Sequence, residues 1–263
     1  METIKSISNK RVKDLVSLTK NRRFREETGL FVVEGATLAV EAANSDYLIE
    51  SVFYTESAYR GYRDEIDAAA AGARTIFLIT DQIAKKASSL ASPQGILTVL
   101  QIKGEAGLDA LSGKRRVVVL DRVQDPGNLG AIARSALAFG FDGIAISPDS
   151  ADRYSDKSLR ASMGALLRCD VVVGKTDETI SRLKADGFRV YAAALDKEAD
   201  SADKMVKSGK LAVVIGNEAA GLSSDIIASC DAAVAICTDS RVQSLNAAVA
   251  ASVLMYCCRE GVV

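Results

Sequence analysis

Apolar and polar positions along the chain alternate between helical and strand periods. From Lys10 to Arg25 the residues Val12, Leu15, Val16 and Leu18 fall at helical spacing, which predicts a basic helix. Gly29 then precedes the apolar run Leu30–Val33, a predicted strand. The pattern continues with helix Ala36–Ala43, strand Val52–Tyr54, helix Tyr59–Ala71, strand Thr75–Ile79, short helix Asp81–Ala87 and strand Gly95–Gln101. Such alternation predicts an α/β layer on a largely parallel sheet.

The polar stretch Lys103–Arg116 reads as a link to a second domain. Beyond it, strands Val117–Leu120, Gly143–Ser147, Asp170–Val173, Arg189–Leu195, Leu211–Ile215 and Ala232–Ile236 are expected. Helices are expected at Leu129–Phe139, Asp156–Leu166, Asp177–Ala185, Ser224–Ala228 and Gln243–Arg259. The predicted organisation is a smaller α/β domain over 1–102, a linker over 103–116 and a parallel-sheet α/β domain over 117–263.

The length of 263 residues fits this reading at about 100 to 200 residues per domain, with a core large enough to need no disulfides. The five cysteines are odd in number and lack CxxC spacing, so neither a disulfide framework nor a zinc site is indicated. The histidine count is zero, which excludes Ser-His-Asp and Cys-His mechanisms within the chain and every imidazole metal ligand. No apolar run is long enough for a membrane span and Met1–Lys5 is polar, so cytoplasmic residence is expected.

The net charge of −1 conceals an asymmetry: residues 1–25 hold eight Lys/Arg against Glu2 and Asp14, a net +6, leaving −7 for the remainder. Lys10, Arg11, Arg22 and Arg23 are therefore candidates for a phosphate-binding face, the other reading being a solvated helix surface.

In open α/β sheets ligands bind outside the carboxyl ends of the strands. Three predicted loops there are unusual. In Asp121–Gly130, Pro126-Gly127 signals a turn and Asn128 suits a helix N-cap. Arg134 stands alone among small residues in the otherwise uncharged helix that follows, and this spacing of small residues lets a ligand approach closely. Gly216–Ser223 approaches a phosphate-binding loop, but Leu222 occupies the lysine position, which argues against nucleoside triphosphate hydrolysis. Glu218 in that loop is either a site carboxylate or a cap for the helix near Ser224. No G-x-G-x-x-G follows a strand, so dinucleotide binding is unsupported. In the third loop, Ser244 can cap the last helix, whereas Asn246 in its expected first turn needs other hydrogen-bond partners.

Taken in order, Asn128-x5-Arg134 with Phe139-Gly140, Gly216-Asn-Glu-x-x-Gly221-Leu222, and Ser244-Leu-Asn246 resemble the three motifs of the SpoU (TrmH) family of RNA ribose 2′-O-methyltransferases. Ser162-Met-Gly-Ala165 resembles a further family segment. Asn9-Lys-Arg-Val12, Val33-Glu-Gly35 and Ser92-Pro-Gln-Gly-Ile96 resemble the substrate-binding domain that precedes the catalytic domain in many members.

The resemblance implies a C-terminal trefoil knot, a ribosomal-protein-like N-terminal RNA-binding domain, and a homodimer with its site near the subunit interface. It implies S-adenosylmethionine as cofactor, held by Gly216, Ile236 and Leu245 largely through backbone groups, with no metal. Arg134, Asn128, Glu218, Ser244 and Asn246 stand where the family's catalytic or RNA-positioning residues lie. Arg134 is a poor base, since an arginine pKa lies above about 12. Its expected role is to stabilise developing alkoxide charge or hold an adjacent phosphate. The chain departs from the family before the third motif. Ile236-Cys237-Thr238-Asp239-Ser240-Arg241 stands where Ile-Pro-Met and then glycine are usual, and Ala219-Ala220 where glycine is common, so altered cofactor affinity is expected. Ribosomal RNA is the leading substrate; transfer RNA, or a silent RNA-binding or assembly role, are the alternatives.

Overall fold

A computed structural model describes residues 1–104, 106–194, 199–239, 241 and 244–259. The chain forms two compact units, Met1–Gly104 with Asp152–Arg168, and Glu105–Ala151 with Cys169–Val263.

The first stretch carries β1 (Glu2–Ile4), α1 (Lys10–Lys20), α2 (Arg22–Thr28), β2 (Leu30–Glu34), α3 (Ala36–Ala43), β3 (Ile49–Thr55), α4 (Glu56–Gly61), α5 (Arg63–Ala71), β4 (Thr75–Ile79), α6 (Asp81–Ala87) and β5 (Ile96–Gln101). The continuous basic helix expected over Lys10–Arg25 is two helices. Asn21 is extended, with φ −123°, and its side chain accepts from the Phe24 N–H, so an N-cap interrupts the run. Tyr62 likewise divides the expected Tyr59–Ala71 helix.

The sheet order is β1-β4-β3-β5-β2. Strands β1 and β3 run parallel to β4, but β5 is antiparallel to both β2 and β3, so the expectation of a largely parallel first sheet is corrected to a mixed one. The reason lies in the connection: α6 and the segment that follows it return the chain to the end of the sheet where β4 finishes, so β5 runs back. Val12, Leu15 and Leu18 of α1 join Ile4, Phe53, Phe77, Leu97 and Val99 in one buried core.

The rest of the chain carries β6 (Arg116–Leu120), α7 (Pro126–Ala138), β7 (Gly143–Ile146), α8 (Asp156–Ser162), α9 (Ala165–Arg168), β8 (Asp170–Val173), α10 (Thr176–Ala185), β9 (Arg189–Ala193), β10 (Asp200–Ser201), β11 (Leu211–Ile215), α11 (Ser224–Ser229), β12 (Ala232–Ala235) and α12 (Ala247–Cys257). Helices α8 and α9 belong to the first unit, where Arg25 pairs with Asp152 at 2.5 Å and Glu41 accepts from Arg168. The single helix expected over Asp156–Leu166 is broken because Met163 and Gly164 take positive φ, and a Cβ on Gly164 would lie 2.5 Å from the Glu41 side chain.

All described strands of the second sheet are parallel, in the order β10-β12-β9-β11-β6-β7-β8. Its inner strands β6, β7 and β11 are buried at every position, and so on both faces. The stretch read as a linker is packed from its middle on: Leu108–Leu111 forms a 3-10 turn, Leu111 is buried, and buried Arg116 donates to the backbone carbonyls of Cys258 and Lys207. Helix α12 lies on α7, joined by Ser135 and Ser252 hydroxyls 2.7 Å apart and by an edge-on Phe139–Tyr256 contact. Leu195 and Gln243, expected at a strand end and a helix start, lie outside the described residues.

Candidate functional site

The loops after β6, β11 and β12 leave the carboxyl edge of the second sheet. After β6, buried Asp121 accepts from Thr176 Oγ1 at 2.6 Å and from Arg122 Nε at 3.0 Å. Arg122 takes a left-handed φ of 53°, and its N–H donates to Ser147 Oγ at 2.8 Å. The N-cap of α7 is Asp125, which accepts from the Asn128 N–H at 3.0 Å; the expectation that Asn128 caps this helix is corrected. Asp125 takes the role because Pro126 fixes the first helical φ immediately after it.

The Asn128 side chain is thereby free for a different purpose. Its Nδ2 donates to Glu218 Oε1 at 3.0 Å, and its Oδ1 accepts from Asn246 Nδ2 at 2.9 Å. Asn246, not Ser244, caps α12: its Oδ1 accepts from the Ala248 N–H at 2.9 Å and the Val249 N–H at 3.2 Å. The two backbone donors fix which way the Asn246 amide points, and that in turn fixes Asn128. One hydrogen-bonded line, Asn246 to Asn128 to Glu218, thus joins all three loops.

Glu218 is a loop carboxylate and not a helix cap, since Ser223 caps α11. It also accepts from the backbone N–H groups of Gln124 and Asp125, each at 3.0 Å. Partial burial pushes the Glu218 carboxyl up, but the hydrogen bonds from Asn128, Gln124 and Asp125 together outweigh it and hold the group below the usual range. Asn217 beside it donates to the Arg122 carbonyl at 2.9 Å and accepts from the Ala219 and Ala220 N–H groups. Gly216 is required by the loop itself, because a Cβ there would lie 2.5 Å from the Gly221 backbone.

Under these loops lies a cavity of about 700 Å³ lined by Gly216–Leu222, Ser244, Leu245 and the small residues Ala193, Ala194, Ala247 and Ala250. A smaller space of about 100 Å³ shares Ser244 and Leu245 and adds Ile236 and Thr238. Of the expected cofactor residues, Gly216 and Leu245 therefore face the large cavity and Ile236 the small one.

Arg134 is exposed on α7 and has no hydrogen bond or ion pair among the described residues, so it stands outside the network. In the first unit, Lys10, Arg11, Arg22 and Arg23 are all exposed. Three of the four are paired within the chain: Arg11 with Glu2, Arg22 with Glu26 and Arg23 with Glu27. Among the described residues no group of three or more His, Cys, Asp or Glu is placed to hold a metal ion.

Residues 115–256 match the SpoU rRNA methylase family and residues 9–98 the MRM3-like substrate binding domain. The chain belongs to the SpoU rRNA methylase family. It is 29% identical over 256 residues to the 23S rRNA (guanosine(2553)-2′-O)-methyltransferase RlmP of Bacillus subtilis, covering 97% of this chain and 98% of that one. Among solved structures it is similar to an AdoMet-bound rRNA methyltransferase from Sinorhizobium meliloti, with a TM-score of 0.87, 26% identity, and coverage of 97% of this chain and 96% of the other. It is also similar to the SpoU methyltransferase AviRb from Streptomyces viridochromogenes in complex with AdoMet, with a TM-score of 0.82, 26% identity, and coverage of 95% and 97%.

In this SpoU family member, reasoning from sequence missed Asp125, Asn217 and Gln124, which shape the loops. Asn217 had a visible signal, a side-chain amide between Gly216 and Glu218 in a loop after an apolar strand.

Proposed function

We propose that the chain is an S-adenosylmethionine-dependent RNA methyltransferase acting on a ribose 2′-hydroxyl of ribosomal RNA. The observation that carries this reading is the interlocked line Asn246–Asn128–Glu218, which ties the first motif to the second and third, the two that line one cavity of about 700 Å³. A space of that size, with an apolar floor and backbone groups on its walls, fits a nucleoside ligand. Gly216, Ile236 and Leu245 would hold S-adenosylmethionine, which when bound supplies a methyl group activated by its sulfonium.

The chain's own residues have the remaining tasks. Both oxygens of Glu218 are engaged by three donors, which weakens it as a proton acceptor, so its task is to position the Asn128 loop. Ser244, which lines the cavity, orients the ribose. Arg134, exposed and unpaired among the described residues, holds an RNA phosphate or stabilises charge developing on the 2′-oxygen, while a backbone or phosphate oxygen relays the proton to solvent water.

The reading assigns RNA binding to residues 1–102, with Lys10, Arg11, Arg22 and Arg23 on the RNA side, and methyl transfer to residues 117–263. It includes a trefoil knot, in support of which α12 follows β12 near the sheet edge yet packs on α7 and the inner strand β11. It includes a homodimer through α7 and α12, whose Leu137, Val249 and Tyr256 are exposed apolar side chains. Among the described residues no helix is long and apolar enough to cross a membrane. Cytoplasmic residence belongs to the same proposal.

The test is methyl transfer from labelled S-adenosylmethionine to unmodified ribosomal and transfer RNA transcripts, mapped by resistance to alkaline cleavage. An alkali-resistant linkage in ribosomal RNA is expected. Label confined to transfer RNA would move the substrate, label without alkali resistance would move the reaction to a base, and RNA binding without label would make the chain a silent binding protein.

A further inference from the structure

A cavity of about 320 Å³ opens in the first unit between α1 and the strands beneath it. Its floor is apolar, built from Leu15, Leu18, Phe53 and Phe77, and its rim is polar, with Arg11, Asp14 and Glu50. The Phe53 and Phe77 rings stack at 4.6 Å, and the Arg11 guanidinium lies over Phe77, 4.6 Å from its centroid.

The two rim carboxylates are not alike. Glu50 is engaged by Arg74 at 3.2 Å and Gln101 at 2.8 Å, which the fold explains. Asp14 has no hydrogen bond or ion pair among the described residues. An aspartate in the middle of a helix is a poor helix former, and here no contact offsets that cost.

A ligand for this slot must have apolar faces and a polar edge that donates to a carboxylate. A phosphate or sugar does not match the floor, and a purely apolar group does not match the rim. A nucleobase with an exocyclic amino group matches both, since carboxylates accept from such amines and arginine planes and aromatic rings stack on base faces. Lys10 and Lys13, exposed on the same helix and without ion pairs among the described residues, supply attraction for the flanking phosphates.

We infer that this slot takes an unstacked adenine, cytosine or guanine of the bound RNA, with Asp14 accepting from its amino group and Arg11 as a stacking surface. The inference rests on the RNA-substrate reading above. It gives Arg11 a role other than phosphate contact, and it makes the first unit selective against uracil, which has no amino group.

The experiment is fluorescence anisotropy of the full chain and its Asp14→Ala variant with labelled oligo(A), oligo(C) and oligo(U) of about twelve nucleotides, at several salt concentrations. The variant places a better helix former at a half-buried position, and its melting temperature checks that it folds. The unsubstituted chain is expected to bind the A and C oligomers about tenfold more tightly than the U oligomer. Asp14→Ala is expected to abolish that preference while leaving oligo(U) affinity unchanged or slightly higher, because a negative charge is removed. Equal affinity for the three RNAs, or a preference that survives in Asp14→Ala, overturns the slot and leaves salt-dependent RNA binding standing. Absence of binding to any RNA at low salt overturns both readings.

Discussion

Each unit places a glutamate where a strand gives way to a loop, and the two carboxylates meet opposite surroundings. Glu34 ends β2 at 5% exposure; its Oε1 accepts from Ser88 Oγ at 2.5 Å, while its Oε2 is buried without a hydrogen bond. Burial pushes the Glu34 carboxyl up, and the Ser88 hydroxyl and the positive charge of Arg160 only partly counter it. Glu218 is more accessible and has three donors aimed at it, so its ionised form is favoured. Depth and donors act together: the deeper Glu34 keeps more of its burial penalty than its partners remove, whereas three donors outweigh the shallower burial of Glu218.

The largest effect should follow from removing the engaged carboxylate. Glu218→Ala is expected to lower methyl transfer about 100-fold by letting the Asn128 loop shift. It should also cost about 0.5–1.5 kcal/mol in urea denaturation, while RNA affinity stays the same. An RNA affinity loss as large as the activity loss would show that Glu218 contacts substrate and does not position a loop.

Next comes the pH dependence, where the two glutamates should have opposite signs. The folded pKa of Glu218 is lowered, so its contribution is present above the unfolded value of about 4.3 and is lost as pH falls through the folded value. Glu34 is raised, so the folded state holds its proton more tightly. Its contribution is complete below about pH 4.3 and erodes as pH rises through the folded value. Denaturation midpoints of Glu218→Gln and Glu34→Gln from pH 3 to 8 test this. Relative to the unsubstituted chain, the first should be most destabilised near neutrality, and the second should be most stabilised there. Parallel profiles would remove the contrast.

Replacing Lys10, Arg11, Arg22 and Arg23 together by Ala should weaken RNA binding across sequences and flatten its salt dependence. The flattening should be less than four free cations would give, because three of them are already paired with glutamates. The smallest effect is expected for Glu26→Gln, which breaks an exposed i,i+4 pair with Arg22 and should change the melting free energy by less than about 0.5 kcal/mol.

The contrast between the glutamates was not legible in the sequence, where Val33-Glu-Gly35 and Gly216-Asn-Glu both read as motif carboxylates. What periodicity could show was the run of strands and helices in the second unit, because parallel strands buried on both faces are continuous apolar runs. It could not show that β5 runs back, since direction depends on where a helix returns the chain. The three-residue β1 is too short to have a period. At the site, the loop positions and the family resemblance singled out Asn128, Glu218 and Asn246, but reading the residues misassigned two caps. Asp125 and Asn246 are as good at capping as Asn128 and Ser244, and only packing chooses between them. The charge count overstated the free cations of the basic segment, because Arg25 is buried and its neighbours bind the glutamates one turn on.

Arg25 also sets a schedule for the newborn chain. Its guanidinium is buried against the Leu18 carbonyl and Asp152, a residue that the ribosome reaches only well after Gly104. At about 5–20 residues per second the N-terminal sheet emerges and waits several seconds with this arginine half-matched. The first unit therefore gains this ion pair only when the next domain is already partly made.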